Sequence, residues 1–467
     1  MSIAARPWQG RRLHFVGVGG AGMSGYARAA HALGAEVSGS DAISSPYLER
    51  LAADGVLRAS IGHVAENVPG GEGVQVVYSS AVPADNVERR SARARGLAER
   101  PRAELLAELT ALRRTIAVAG SHGKTTTASM LVHALRGAGL EPGWLVGGFL
   151  SDELANANWG SGDWLVVEAD ESDRSMLRLQ VEIAVLTNVE LDHHTTFASL
   201  GELREAFRSF LSGARGAIVV WDRPELLALT GERARERASE ALPQSPVGEA
   251  FPVALVRYDV PDAILGPDGS RFDWRGQQVR LSVPGAHNAL NAAAALEAAR
   301  LAGADSALAA ESLADFKGAA RRFQLLGRSA GGALLYDDYA HHPSEVAATL
   351  RAARTLGQGR LVAVFQPHLY SRSALLAREF GQALALADAV AVLDVYPARE
   401  RPEEHPGVSG LVIAEATADA AEGRPVYWLP TFADAEPVLE HLLGEGDLCL
   451  LMGAGNVDEL GRRLVDA

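Results

Sequence analysis

The sequence predicts an α/β protein of three domains, built on parallel sheets with helices alternating along the chain. Its 467 residues suffice for about three domains of roughly 150 residues each. Three times, an apolar run of strand length is associated with glycines and a following helical pattern, the strand–turn–helix unit of a parallel sheet. Between these units, short apolar runs continue to alternate with helical stretches.

The first unit runs from Leu13 into Gly17-Val18-Gly19-Gly20-Ala21-Gly22, with a helix to about Leu33. Gly34 stops that helix, and Glu36–Asp41 reads as the second strand. Val74–Ser80 is a further strand, and Leu105, Leu106, Leu109 and Leu112 share one helical face. The second unit, Thr115–Ala119, enters Gly120-Ser121-His122-Gly123-Lys124-Thr125-Thr126 and a helix through about Arg136. Strands follow at Asp163–Glu168 and Ile183–Asn188. Composition changes from about Asp222. Val279–Val283 alternates after a turn expected at Arg275-Gly276, which predicts a small antiparallel excursion. A helix of small residues then runs Ala289–Leu301. The third unit has strands at Ala333–Asp338, Leu361–Gln366, Ala389–Asp394 and Leu448–Leu451, the last ending in Gly453-Ala454-Gly455-Asn456. The expected domains are residues 1–112, 113–322 and 323–467.

A formal net charge of −14 argues against a nucleic-acid partner, because binding a duplex needs a basic face. No window approaches the ~20 apolar residues of a membrane span, so no membrane insertion is expected. The N-terminus lacks the apolar stretch and cleavage site of a signal peptide, and a cytoplasmic protein is expected. The single cysteine, Cys449, lies in an apolar run and reads as a buried strand residue. Only Lys124 and Lys317 are lysine; every other basic residue in the Lys+Arg count is arginine. Lysine at 124 is therefore informative, since a compact ammonium fits a phosphate cradle where a planar guanidinium does not.

Gly17-x-Gly19-x-x-Gly22 stands between a strand and a helix, with Asp41 about twenty residues on. Read alone, it favours a dinucleotide such as NAD, with Asp41 on a ribose hydroxyl; a ligand-free tight turn is the alternative. The loop at Gly120–Thr126 is a stronger signal. Its amides and helix dipole would hold phosphate oxygens, Lys124 would reach the β- and γ-phosphates, and Thr125 would ligate Mg²⁺. It is shorter than the common G-x-x-x-x-G-K-[ST] loop, whose first glycine would fall at Val118. Glu168-Ala169-Asp170-Glu171-Ser172-Asp173 ends an apolar strand, and four acids so close would be relieved by a cation. Thr187-Asn188-Val189-Glu190-Leu191-Asp192-His193-His194 follows the next strand and offers a second metal site. In Pro284–Asn291, His287, Asn288 and Asn291 offer contacts to a purine, although Asn288 reads equally as an N-cap. The last patches are Asp337–Pro343 and Gln366–Arg372, where Arg372 reads either as a carboxylate clamp or as a surface ion pair.

Taken in order, the motifs GxGGxGMSG, GSHGKTT, EADESD, TNxxxDH, GxHNxxN, DDYAHHPSE, FQPHxYSR and DVYPARE resemble the Mur ligases, from Gly17 to about Asn456. The last of them favours the alanine-adding branch. The resemblance implies a Rossmann-like UDP-binding domain, a central P-loop-type ATPase domain and a C-terminal Rossmann-like α/β domain that receives the amino acid. It replaces the dinucleotide reading of the first loop. The implied substrates are UDP-N-acetylmuramate, L-alanine and ATP with Mg²⁺ or Mn²⁺, joined through an acyl phosphate in peptidoglycan precursor synthesis by a monomer or homodimer.

The resemblance places Gly17, Gly19, Gly20, Gly22, Met23 and Ser24 at the UDP-sugar, with Asp41, Ser79 and Ser80 near the nucleoside. His122 would face both that ligand and ATP. Gly120, Ser121, Gly123, Lys124, Thr125 and Thr126 would hold the ATP phosphates, and Asn188 would lie near the γ-phosphate. Thr125, Glu168 and His193 would hold metal. His287, Asn291, Arg322 and Asp338 would contact the nucleoside of ATP, and Tyr339, His341, His368 and Arg372 the amino acid and intermediate. Two features qualify the match. Some members carry arginine where this chain has Leu369. The carbamylated lysine of other branches has no counterpart, since no lysine lies between Lys124 and Lys317. The rival readings are a tripeptide-recycling ligase of the same family, an NAD-dependent dehydrogenase and a non-catalytic nucleotide switch.

Overall fold

The structure is a computed structural model that describes residues 6–150, 155–192, 196–231, 234–236, 253–357 and 359–466. The predicted α/β class is observed as three sheets dominated by parallel pairing, one in each of the N-terminal, middle and C-terminal domains. A small antiparallel sheet accompanies them.

The N-terminal sheet contains β1 (Arg12–Val16), β2 (Glu36–Asp41), β3 (Ser60–Ile61), β4 (Val74–Tyr78) and β5 (Ala98–Pro101), in the order β3-β2-β1-β4-β5. Every pairing in it is parallel. Helices α1 (Ala21–Ala32), α2 (Pro46–Ala53), α3 (Val87–Ala94) and α4 (Arg102–Ala111) connect and cover it. Leu105, Leu106 and Leu109 are buried as the periodicity requires. Leu112 is 41% exposed, because the helix ends at Ala111 and the residue no longer follows its face.

The middle sheet is assembled from β6 (Arg114–Ala119), β7 (Gly143–Leu145), β8 (Ala157–Asn158), β9 (Trp164–Glu168), β10 (Ile183–Leu186), β11 (Ala217–Trp221), β12 (Ala234–Glu236) and β13 (Val253–Tyr258). Its order is β12-β13-β11-β10-β6-β9-β7-β8, so β6 lies between β9 and β10. Helices α5 (Lys124–Gly137), α6 (Leu200–Ser212) and α7 (Pro224–Leu227) belong to it. Strand β10 stops at Leu186, two residues before the predicted end, because Thr187 and Asn188 turn their polar groups toward the Gly120–Thr126 loop. The apolar core is continuous between the first and second sheets, from Phe15, Tyr26 and Leu105 to Leu165, Leu186 and Phe207.

The antiparallel excursion is β14 (Ile264–Gly266), β15 (Gly269–Trp274) and β16 (Gln277–Leu281), with Arg275 and Gly276 at positive φ in the predicted turn. Helices α8 (Ala286–Leu301) and α9 (Ser306–Ser312) follow. The C-terminal sheet has β17 (Gln324–Arg328), β18 (Leu334–Asp338), β19 (Leu361–Phe365), β20 (Ala389–Val392), β21 (Val426–Trp428) and β22 (Leu448–Met452), in the order β17-β18-β22-β19-β20-β21. Only β17 runs antiparallel to its neighbour. Around it lie α10 (Pro343–Arg354), α11 (Tyr370–Leu375), α12 (Ala377–Leu384), α13 (Leu411–Ala420), α14 (Phe432–Leu442) and α15 (Val457–Asp466). Cys449 is fully buried in β22, and burial pushes its thiol pKa up to about 12. Among the described residues, no helix is long and apolar enough to cross a membrane.

By internal contacts the chain forms two compact units, Met1–Asp259 with Asn291–Ser312, and Val260–Leu290 with Leu313–Ala467.

Candidate active site

Glycines let the chain leave β1 sharply and enter α1. The Gly19 amide donates to Asp41 Oδ2 at 2.7 Å, and Ser45 Oγ donates to the Gly19 carbonyl at 2.8 Å, so the end of β2 and the start of α2 fix the first loop. Gly20 caps α1 in extended conformation, and an added Cβ there would point into open space. A Cβ on Gly17 would lie 2.9 Å from Val82 and 3.1 Å from Ser79, which puts the residues after β4 against the same loop. Ser79 Oγ accepts from the Ala81 amide, and Ser80 is exposed. Met23 and Ser24 lie on the buried face of α1. Ser24 Oγ donates to the Ala21 carbonyl and accepts from Asn156, so both residues support the loop from behind.

Beneath this loop lies a polar cluster that the sequence reading missed. Glu88 is fully buried and accepts from His14 Nε2 (2.9 Å), His63 Nδ1 (2.9 Å), Asn67 Nδ2 (2.9 Å) and Ser40 Oγ (2.8 Å). Burial alone would raise the Glu88 pKa, but these four donors outweigh it and lower the value to about 2. A carboxylate with its folded pKa below its unfolded one stabilises the fold above the unfolded value of 4.5, and that contribution is lost as pH falls toward about 2. Glu88→Gln is therefore expected to cost about 3 kcal/mol at neutral pH and less than half of that near pH 3, read by denaturant titration at both pH values. An equal cost at the two would refute this assignment.

The second loop sits where β6 ends between its neighbours. Glu168 pairs with Val118 across β9–β6, and Leu186 pairs with Ala119 across β10–β6, so three strand ends converge as the motif order predicts. Asn188 secures the loop with both halves of its amide, Oδ1 accepting from the His122 amide (2.9 Å) and Nδ2 donating to the His122 carbonyl (2.9 Å). Thr187 Oγ1 donates to the same carbonyl at 2.6 Å. Ser121 Oγ donates to the Glu190 carbonyl and accepts from its amide, which ties the loop to the segment after β10. His122 Nε2 lies 3.3 Å from Glu190 Oε2. Gly123 caps α5 at φ 82°, and a Cβ there would come 2.7 Å from Asn291 Oδ1. Asn291 thus lies against the phosphate loop. Thr125 and Thr126 are buried in the first turn of α5.

The four acids of the Glu168–Asp173 segment have separate partners. Glu168 Oε1 accepts from the Gly147 amide at 2.6 Å. Glu171, almost fully buried, takes Lys124 Nζ on both oxygens at 3.0 and 2.9 Å. Asp170 and Asp173 accept from Arg102, at 2.9 and 2.7 Å. The cations that relieve three of the four acids are Lys124 and Arg102, and among the described residues Glu168 alone takes neither. Burial would raise the Asp170 pKa, but the charges of Arg102 and then Lys124 hold it well below the ordinary range. Burial likewise opposes the charge on Lys124, but Glu171 and Asp170 outweigh it and keep the ammonium protonated.

Glu168 and Thr125 lie across one short turn. The Gly147 amide meets Glu168, and a Cβ on Gly148 would be 3.6 Å from Thr125 Cγ2. A carboxylate and a hydroxyl form an oxygen set that suits a hard divalent cation. His193, the third expected ligand, lies outside the described residues, as does His194.

In the C-terminal domain, β18 delivers two acids. Asp338 Oδ2 accepts from the Phe323 amide at 2.8 Å and Oδ1 from the Ala340 amide at 2.8 Å, and burial raises its pKa. Asp337 pairs with Arg321, a residue the sequence reading passed over; burial raises Asp337 to about 6 although Arg321 opposes it. Arg321 also donates to the Gly453 and Gly455 carbonyls, and both Arg321 and Arg322 lie over the Tyr339 ring.

Tyr339, His341, His368 and Tyr396 form a row of rings with centroids 5.4, 6.0 and 6.0 Å apart. Arg372 Nη1 faces His368 Nδ1 at 3.4 Å. A guanidinium only donates, so His368 Nδ1 is the acceptor in this contact. Arg372 is 4% exposed, which rules out the surface ion pair. Leu369 opens α11 at φ 72° and is buried. His287, half-buried at the start of α8, has its pKa pushed down to about 4 by burial, although Glu345 opposes the shift, and is neutral at physiological pH. Asn288 is not the N-cap of α8, which begins at Ala286; its side chain donates to the Pro284 carbonyl at 2.7 Å.

A mainly parallel sheet opening at its strand ends onto a glycine–lysine loop, with a carboxylate and an amide on the neighbouring ends, is the arrangement of the phosphate-loop nucleotide-binding proteins. Residues 12–114 match the profile of the Mur ligase family catalytic domain, residues 118–299 the Mur ligase middle domain, and residues 321–455 the Mur ligase glutamate ligase domain. The chain belongs to the Mur ligase family. The UDP-N-acetylmuramate–L-alanine ligase of Rubrobacter xylanophilus is 44% identical over 459 residues, covering 97% of this chain and 99% of that one. The protein of that name from Thermobifida fusca is 43% identical over 470 residues, covering 98% and 96%. Among solved structures, the UDP-N-acetylmuramate–alanine ligase of Thermotoga maritima superposes with a TM-score of 0.79 at 26% identity, covering 97% of this chain and 98% of that one. A murein peptide ligase from Psychrobacter arcticus gives 0.70 at 25% identity, with 98% of each chain covered.

Proposed function

We propose that this chain is an ATP-dependent ligase that joins L-alanine to the lactyl carboxylate of UDP-N-acetylmuramate, in the cytoplasmic synthesis of peptidoglycan precursors. The observation that carries the reading is its end-to-end similarity to relatives named for that reaction. A carboxylate does not condense with an amine in neutral water, so the carboxylate oxygen first takes the γ-phosphoryl group and ADP leaves. The amine nitrogen then attacks the acyl carbon, and the tetrahedral intermediate expels inorganic phosphate as the nitrogen loses its proton.

The protein's part is positioning and charge neutralisation. Lys124 and the amides of Gly120–Thr126 hold the ATP phosphates, and Asn188 keeps that loop in shape. Mg²⁺ supplies neutralisation of the phosphate oxygens when bound, held by Thr125, Glu168 and His193. Neutral His287 and Asn291 contact adenine, with Arg322 and Asp338 at the ribose. Tyr339, His341, His368 and the buried Arg372 receive the amino acid. Residues 1–112, 113–322 and 323–467 are the corresponding functional domains.

The test is phosphate release with ATP, Mg²⁺ and UDP-N-acetylmuramate, adding L-alanine, glycine, L-serine or the muramyl tripeptide in turn. Release is expected with L-alanine. Absence of any amine-dependent release would sink the ligase reading, and release with tripeptide alone would move the chain to the recycling branch.

A further inference from the structure

Arg102, the first residue of α4, joins two loops that the sequence keeps far apart. Its Nε donates to Asp173 Oδ2 at 2.7 Å and its Nη2 to Asp170 Oδ2 at 2.9 Å, partners 71 and 68 residues away. The remaining nitrogen, Nη1, makes no hydrogen bond among the described residues. It lies 3.2 Å from the point a Cβ on Gly22 would occupy, in the first turn of α1. The Tyr26 hydroxyl is 3.6 Å from the same point. Only 17% of the Arg102 side chain is exposed. Two acids of the middle domain thus grip one side of a guanidinium and turn its third nitrogen toward the glycine loop. A free lysine would sweep a wide cone, whereas a planar fork held at two corners is already oriented.

We propose that Arg102 binds the diphosphate of the sugar nucleotide at the first turn of α1, and that Asp170 and Asp173 are positioning residues acting through it. This rests on the reading that the first loop takes a UDP-sugar. Since Glu171 of the same segment holds Lys124, one short acidic turn orients a cation toward each of the two phosphate loops.

The proposal makes a sign prediction that a merely structural acid would not satisfy. With Arg102 present, Asp173 helps binding by orienting it; with Arg102 removed, Asp173 is a bare negative charge beside a diphosphate. The measurement is calorimetric titration of the full chain with UDP-N-acetylmuramate, using Arg102→Ala, Asp173→Asn and the double variant. Arg102→Ala is expected to weaken binding about 30-fold, the scale of a charge-assisted hydrogen bond. Asp173→Asn should weaken it about 5-fold alone but tighten it in the Arg102→Ala background, since contacting residues are non-additive. Thermal melts check folding, and Arg102→Gln carries the same comparison should the alanine variant unfold. Arg102 variants that are folded and bind like wild type would overturn the proposal, as would equal weakening by Asp173→Asn in both backgrounds. Wild type that takes no UDP-sugar would instead fail the reading of the first loop itself.

Discussion

Lys124→Arg is expected to lower amine-dependent phosphate release at least about 100-fold although the charge is kept, the scale of losing one preorganised transition-state donor. Lys124 Nζ sits in a close cage, 2.6 Å from the Gly120 carbonyl, 3.2 Å from the Ser121 carbonyl and about 3 Å from both Glu171 oxygens. An ammonium fills that cage as a point and swings on a flexible stem toward an incoming phosphate. A guanidinium is broader, and beside Glu171 it would settle into a bidentate pair with the carboxylate. The arginine variant therefore binds its own acid and reaches the phosphate badly. Two measurements decide it: turnover under saturating ATP, and a thermal melt. A folded variant that turns over within threefold of wild type would refute the argument, including the weight given to lysine in a chain that uses it only twice.

What the sequence shows is local and what it hides is long-range. The loop at Gly120–Thr126, the acids after β9 and the asparagine after β10 each follow an apolar run, and parallel topology brings such ends to one edge. Their adjacency could thus be inferred without coordinates. Nothing in the neighbourhood of Arg102 marks it as the partner of Asp170 and Asp173, because a pairing across 68 residues leaves no periodic trace. Glu88 is hidden for the same reason, gathered with His14 and His63 from separate elements although it stands in an arginine-rich helix that reads as solvated. Arg372 illustrates the converse. Its type and position were legible, but it is burial that excludes the surface ion pair, and burial belongs to the fold. Asn188 lies between these cases. Its placement follows from the strand pattern, whereas its two-handed hold on His122 depends on where the loop amide and carbonyl point.

Gly120→Ala is expected to destabilise the chain by about 3 kcal/mol or more and to remove nearly all activity in whatever remains folded. Two independent effects act there. The backbone has φ 134°, a conformation that residues with a Cβ rarely adopt. The added Cβ would also lie 2.0 Å from Thr187 Oγ1 and 3.0 Å from the Asn188 amide and carbonyl. Thr187 cannot rotate aside freely, because its hydroxyl donates to the His122 carbonyl at 2.6 Å and lies 3.2 Å from the Ala119 carbonyl. Relief must therefore come from moving β6 away from the turn after β10. That movement breaks the Asn188–His122 pairing and opens the phosphate cradle. Gly201→Ala in the first turn of α6 provides the contrast: its Cβ would meet only Ser199 Oγ at 3.6 Å, and alanine at a backbone position it can adopt stabilises by roughly 0.4–1 kcal/mol through the unfolded chain. The melting temperature should fall sharply for the first variant and rise slightly for the second, with turnover lost in one and kept in the other. Equal behaviour of the two would mean that the close approach of β6 to Thr187 does not shape the loop.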